Sequence, residues 1–214
     1  MYKEIVRKAG CSLRSFFTSL PGWARQNFIW GLLVVPILFV VLMYTVIGAD
    51  MFGWQKSGQC KADLEIAHPA LLGCAVVLAV GAWARTKDFS LACLCFLCGG
   101  AFAREILGQG YSFVFVSVMI GVIICAERNK DRMTTLLTSK WSTSLLAMTF
   151  ICYIFSQLLD RGVIKRIGRL VTMDGSWKPL YSSQIEESLE TLGGLFLLIT
   201  VISLTVSAKK KLTS

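Results

Sequence analysis

Histidine occurs once in this chain of 214 residues, proline four times, and charged side chains make up only 16 % of it. One histidine excludes the usual His-rich zinc sites. No HExxH, phosphate-binding glycine loop, GxSxG elbow or dinucleotide glycine signature is present to announce a standard enzyme. The scarcity of charge, set beside 55 % apolar residues and a mean hydropathy of +0.63, excludes an ordinary soluble domain. No internal repeat and no inverted pair of broken helices is visible, so the repeat logic of secondary transporters finds no support.

What the chain does have is apolar length. Of the stretches at 29–49, 66–84, 89–107, 111–126, 141–159 and 185–206, most are close to the roughly 20 residues that cross a bilayer, and each ends in charge or glycine. The expected fold is therefore all-α: a polytopic membrane helical bundle of six transmembrane helices within residues 29–208. The first stretch follows basic residues as a secretory signal would, but its apolar core is too long for one and Ile47-Gly48-Ala49 is a poor cleavage site, so it reads as an anchor. With the spans so placed, 14 of the 22 Lys and Arg residues share the side of the amino terminus and 8 lie opposite, which puts both termini in the cytoplasm. The net charge of +9 then reports topology and attraction to anionic lipid, and nucleic acid is not an expected partner.

Eight cysteines suggest disulfides or metal until they are placed on this topology. Only Cys60 falls in an outer loop and Cys11 inside, while the others fall in spans, so no secreted-type framework is available. The run "CLCFLC" puts Cys95 and Cys98 on one helical face, where they read as small polarizable packing residues.

Outside the spans, residues 1–28 carry Ile5, Val6, Ala9, Leu13, Phe16 and Phe17 against Lys3, Arg7, Lys8 and Arg14, the period of a helix lying in the cytoplasmic interface. A second such helix is expected in the outer loop 160–184, where Val163, Ile164, Ile167, Leu170 and Val171 oppose Lys165, Arg166 and Arg169. Residues 209–214 form a basic cytoplasmic tail. Gly108-Gln109-Gly110 leaves so little chain that the third and fourth spans must be neighbours, and Arg85 to Asp88 ties the second to the third as tightly.

Within the spans the anomaly is charge. At ~1.5 Å per residue from the cytoplasmic ends, Arg104, Glu105, His68, Gln157, Glu190 and Asp160 all lie roughly 22 to 28 Å up, with Glu187 and Glu186 at about 31 and 33 Å. These form one polar level near the outer edge of a hydrocarbon core about 30 Å thick, where each charge needs a partner, a wet cavity or a route to the surface. Arg104 can offer its planar fork to Glu190, with Gly100, Gly193 and Gly194 letting the third and sixth spans approach just below; it reads first as a clamp and second as an anion binder. Ser183-Gln184-Ile185-Glu186 has the form of a capping box, so Glu186 is expected to serve helix amides, and Glu187 gains from the same helix terminus. Glu105 and Glu190 remain the carboxylates of most interest. His68, with Pro69 beside it at an expected helix start, could carry a proton or ligate a metal, but reads first as an interfacial side chain. A site of His68 with Glu105, Glu190 and Asp160 would be oxygen-dominated and unorthodox for zinc, so no metal and no cofactor is assigned.

Taken together, "AREIL" at the outer end of the third span and "EESLE" opening the last resemble a pattern found in uncharacterised bacterial multi-pass inner-membrane proteins. The resemblance implies a bacterial inner membrane and supplies no activity to place on Arg104, Glu105, Glu186, Glu187 or Glu190. The residues favour a non-enzymatic bundle whose outer polar layer binds a small ligand, an ion or a lipid headgroup, or docks a protein partner or a second copy of the chain; membrane lipids are expected partners. The competing readings are a membrane-embedded enzyme acting on lipid-linked substrates through Glu105 and Glu190, and an ion-coupled carrier.

Overall fold

The computed structural model describes residues 28–51, 59–108, 112–133, 135–136 and 139–213. The interfacial helix expected in residues 1–28 lies almost wholly outside them. Every regular element among the described residues is helical: α1 (Val34–Gly48, entered through a 3-10 turn at Trp30–Leu33), α2 (Gln59–Thr86), α3 (Phe89–Leu107), α4 (Ser112–Arg128), α5 (Lys140–Asp160), α6 (Val163–Thr172) and α7 (Ser182–Thr213). Five stretches are long and apolar enough to cross a membrane: Trp30–Gly48, Gln59–Thr86, Phe89–Leu107, Lys140–Asp160 and Ser182–Lys210. With 17 residues α4 is shorter than these, about 26 Å end to end.

Apolar side chains face outward and polar ones inward. Val77, Phe96, Phe113, Ile154 and Leu170 are among the exposed residues, while Ser142, Ser144, Thr149, Ser156, Ser188 and Thr200 are buried. Water would reverse that arrangement. Hydrocarbon favours it, because lipid tails solvate Val and Phe as well as a protein core does while every hydroxyl must find a partner inside. Accordingly, no buried side-chain nitrogen or oxygen among the described residues lacks a hydrogen-bond partner.

The described residues form two compact units, one of Leu72–Leu145 with the chain from Leu197 onward and the segment ending at Ile29, the other of Trp30–Leu71 with Leu146–Phe196. In the first, Asp88 caps α3 by accepting from the amides of Ser90 (2.8 Å) and Leu91 (3.3 Å), and its second oxygen accepts from the Thr135 hydroxyl at 2.5 Å. Ser142 and Ser203 exchange a hydroxyl bond at 2.8 Å between α5 and α7, and the Ile29 amide donates to Ser144 Oγ at 2.9 Å. The expected neighbours α3 and α4 do pack together. Gly100, however, is seated against Val118 and Phe115 of α4, so the closeness it permits is to α4 and not to the last span as expected.

The second unit has its own apolar core of Met43, Ile47, Cys60, Ile185 and Leu189, against which Phe39, Tyr44, Leu64 and Tyr181 pack. Tyr44 donates its hydroxyl to the Leu180 carbonyl at 2.8 Å. Here two sequence expectations are corrected. First, α2 starts at Gln59 and not at residue 66: Lys61 and Glu65 pair at i, i+4 (3.4 Å) on its exposed side while Cys60 and Leu64 face the core, an amphipathic turn that an apolar-run reading misses. Cys60 is thus a fully buried helix residue instead of a loop cysteine, and Pro69 is internal to α2 instead of at its start. Second, α7 begins at Ser182, with the Ile185 amide bonded to the Tyr181 carbonyl at 2.9 Å; the cap position is Tyr181, two residues too early for Ser183 and Glu186 to form a capping box. α7 continues to Thr213, so the residues of the expected basic tail extend the same helix.

The amphipathic helix expected between the last two spans is present as α6. It follows α5 through Gly162, whose φ of +65° turns the chain where a side chain would be strained. Beyond Met173, which closes α6 in the left-handed region (φ 55°), Asp174 accepts from the Ser176 amide (2.8 Å) and hydroxyl (2.6 Å) and its carbonyl accepts from the Trp177 amide (3.2 Å). That turn sends Trp177 back onto Gly168, where the indole occupies the place a β-carbon would need, and the Trp177 carbonyl accepts from Arg169 Nε at 3.3 Å.

Candidate functional site

Within the second unit, three long helices bring four polar side chains together. α2 supplies His68, α5 supplies Tyr153 and Ser156 from one face at i, i+3, and α7 supplies Glu190. All four are buried: His68 is 1 % exposed, Tyr153 9 %, Ser156 0 % and Glu190 5 %. Pro69 follows His68 inside α2 and has no N–H to give the Glu65 carbonyl, so the turn preceding the imidazole lacks one helical bond.

The bonds run through the imidazole. His68 Nε2 lies 2.7 Å from the Tyr153 hydroxyl, and Nδ1 lies 3.7 Å from Glu190 Oε2. The other carboxylate oxygen, Oε1, accepts from the Ser156 hydroxyl at 2.8 Å. The His68 and Tyr153 rings stand 5.8 Å apart at 48°. Two glycines one turn along α7 from Glu190 make room for those rings. A β-carbon on Gly193 would lie 3.2 Å from Tyr153 Cε2, and one on Gly194 would lie 3.2 Å from His68 Cδ2. Both distances are tighter than side chains normally accept, so the glycine pair is where α7 lets α5 and α2 come close.

This arrangement handles a proton without moving heavy atoms. With a neutral imidazole carrying its hydrogen on Nδ1, the Tyr153 hydroxyl donates to Nε2; with an imidazolium, Nε2 donates to the Tyr153 oxygen after the hydroxyl rotates. Ser156 donates to Glu190 throughout. Imidazole and carboxylate together are electrically neutral when they hold one proton between them, the least costly charge in a low-dielectric interior. The same nitrogen and oxygen atoms are the cluster's donors for any small cation.

The structure distributes the residues singled out from sequence unevenly. His68 and Glu190 meet; the reading of His68 as an interfacial side chain is corrected, because it is among the most buried residues of the chain. Arg104 pairs with its own neighbour Glu105, Nη1 to Oε1 at 3.1 Å, with side chains 16 % and 20 % exposed in the last turn of α3, where a cation also suits the helix terminus. Glu186 and Glu187 are half-buried in the opening turns of α7, Gln157 is half-buried, and Asp160 is exposed at the end of α5. Tyr153 and Ser156 escaped the sequence reading. Their signal was a hydroxyl pair at i, i+3 inside an apolar span, together with Gly193-Gly194 one turn from Glu190. No family model, curated protein or solved structure matches this chain.

Proposed function

We propose that this is a six-span protein of a bacterial inner membrane, with both termini cytoplasmic, that binds a small ion non-enzymatically at the His68–Glu190 cluster, the ion being in the first instance a proton. The observation that carries the reading is the burial of a histidine and a glutamate against each other, each with a hydroxyl partner, in helices long and apolar enough to cross a bilayer. Ionisable groups cost too much in hydrocarbon to persist for packing alone when Leu or Met would fill the space, so such a pair points to ion handling. Five apolar helices, with the shorter α4 as a sixth, the 14-to-8 distribution of Lys and Arg, and the "AREIL" and "EESLE" resemblance support the topology and the membrane.

Infrared difference spectra of the full chain in lipid nanodiscs, recorded across about pH 4 to 9, test the ion-binding half. A protonated-carboxyl band should grow reversibly as pH falls, and Glu190→Gln should remove it. A band that survives Glu190→Gln unchanged, or none in the unsubstituted protein, contradicts the proposal.

A further inference from the structure

We infer that α6 is an anionic-lipid dock: a short helix lying on the outer membrane surface, apolar stripe in the acyl boundary and basic edge on phospholipid phosphates. The inference shares the bilayer placement proposed above but not the proton cluster. Its first support is exposure. Ile167, Leu170 and Val171 are 55 %, 75 % and 77 % exposed, and Met173 at the end of the helix is 91 % exposed. On a helical wheel Ile167, Leu170 and Val171 share one side with Val163 and Ile164, while Lys165, Arg166 and Arg169 occupy the other. Such a stripe left in water is unfavourable, and the basic residues name its cover as apolar with a negative rim.

The second support is tethering. α6 begins three residues after α5 ends at Asp160, and α7 begins at Ser182, ten residues after α6 ends at Thr172. Both flanking helices qualify as membrane spans, so a ten-residue helix held this tightly between them stays at a bilayer surface. The third support is rigidity. Trp177 fills the notch at Gly168, the Arg169 guanidinium donates to its carbonyl, and the Asp174–Trp177 turn closes the loop, so the stripe is presented ready-formed. Arg169 is committed to that loop, which leaves Lys165 and Arg166 as the phosphate-facing pair. Each basic side chain near an anionic surface is worth about fivefold in binding, from about 1 kcal/mol apiece.

Hydrogen exchange of the full chain, followed by mass spectrometry of peptides spanning 163–177, tests the inference. The protein is placed in nanodiscs of phosphatidylcholine alone or of equal parts phosphatidylcholine and phosphatidylglycerol. The α6 amides should exchange about 25-fold more slowly in the anionic discs, by the two-residue effect just given. Lys165→Glu with Arg166→Glu should abolish that difference while the α5 and α7 peptides remain protected, which shows that the bundle is still inserted and folded. Ile167→Ser with Leu170→Ser should remove the slowing through the apolar side. Equal exchange of α6 in the two lipids, fast or slow, overturns the proposal. Loss of α5 and α7 protection in the unsubstituted protein would instead contradict the membrane placement itself.

Discussion

The two compact units bury polar groups in different ways. In the unit holding α3 and α4, the polar bonds between elements include hydroxyl to hydroxyl, amide to hydroxyl and, at Asp88, a carboxylate committed to two helix amides and Thr135. Each is a cap or a tie that holds a helix end or a helix pair in place. In the other unit, an imidazole and a carboxylate face one another, and the hydroxyls of Tyr153 and Ser156 can follow whichever protonation state the pair adopts. Burial of polarity is thus common to both, and only one of them buries a choice of charge state. The polar groups of the first unit serve the fold, and those of the second are the ones to test for function.

Substitutions separate the two roles. The largest effect is expected from His68→Leu, which takes the imidazole from a buried carboxylate and should cost about 3 to 5 kcal/mol of stability in thermal unfolding in detergent, along with the pH-dependent infrared change. Gly194→Ala pushes a β-carbon into the His68 ring and should cost about 1 to 3 kcal/mol, again with an altered infrared response; an unaltered response would show that α7 does not position the ring. Asp88→Ala should cost about 1 to 2 kcal/mol from the lost α3 cap yet leave proton uptake as it was. If it changed uptake, the division between fixed and titrating clusters would fail. Ser142→Ala should cost about 1 kcal/mol or less, with no effect on uptake.

The smallest effect concerns pH at the loop that follows α6. The Ser176 hydroxyl and amide hold the Asp174 carboxyl below the usual carboxylate range. A lowered folded-state value means that the turn gains stability above the ordinary aspartate range and loses it as pH falls through the lowered value. Exchange of the 174–177 amides should therefore quicken only at the acid end, and Ser176→Ala should bring the onset to higher pH.

Much of the architecture could be read from hydropathy. The length of α3, α5 and α7 shows as apolar runs because each helix is apolar enough along its length to cross a membrane. α6 was legible for the opposite reason, since its apolar and basic residues fall on opposite faces and its period shows through. What stayed hidden was whatever depends on rotation about a helix axis or on packing between helices. Counting residues placed His68 and Glu190 at one height, roughly 25 and 27 Å up, but height carries no azimuth, and the Nδ1 to Oε2 approach joins residues 122 positions apart. The polar opening of α2 was missed because Lys61, Asp63 and Glu65 look like loop composition until Cys60 and Leu64 are seen to face a core. Gly100 signalled a close approach correctly but could not say to which helix.

Because His68 is the chain's only histidine, labelling histidine with nitrogen-15 yields a single imidazole whose two signals need no assignment among rivals. Solid-state spectra of the full chain in lipid should show both ring nitrogens hydrogen-bonded, with Glu190→Gln changing the Nδ1 signal and Tyr153→Phe the Nε2 signal. An imidazole that resembles free histidine in water and ignores both substitutions would contradict the buried cluster, and with it the function proposed for this protein.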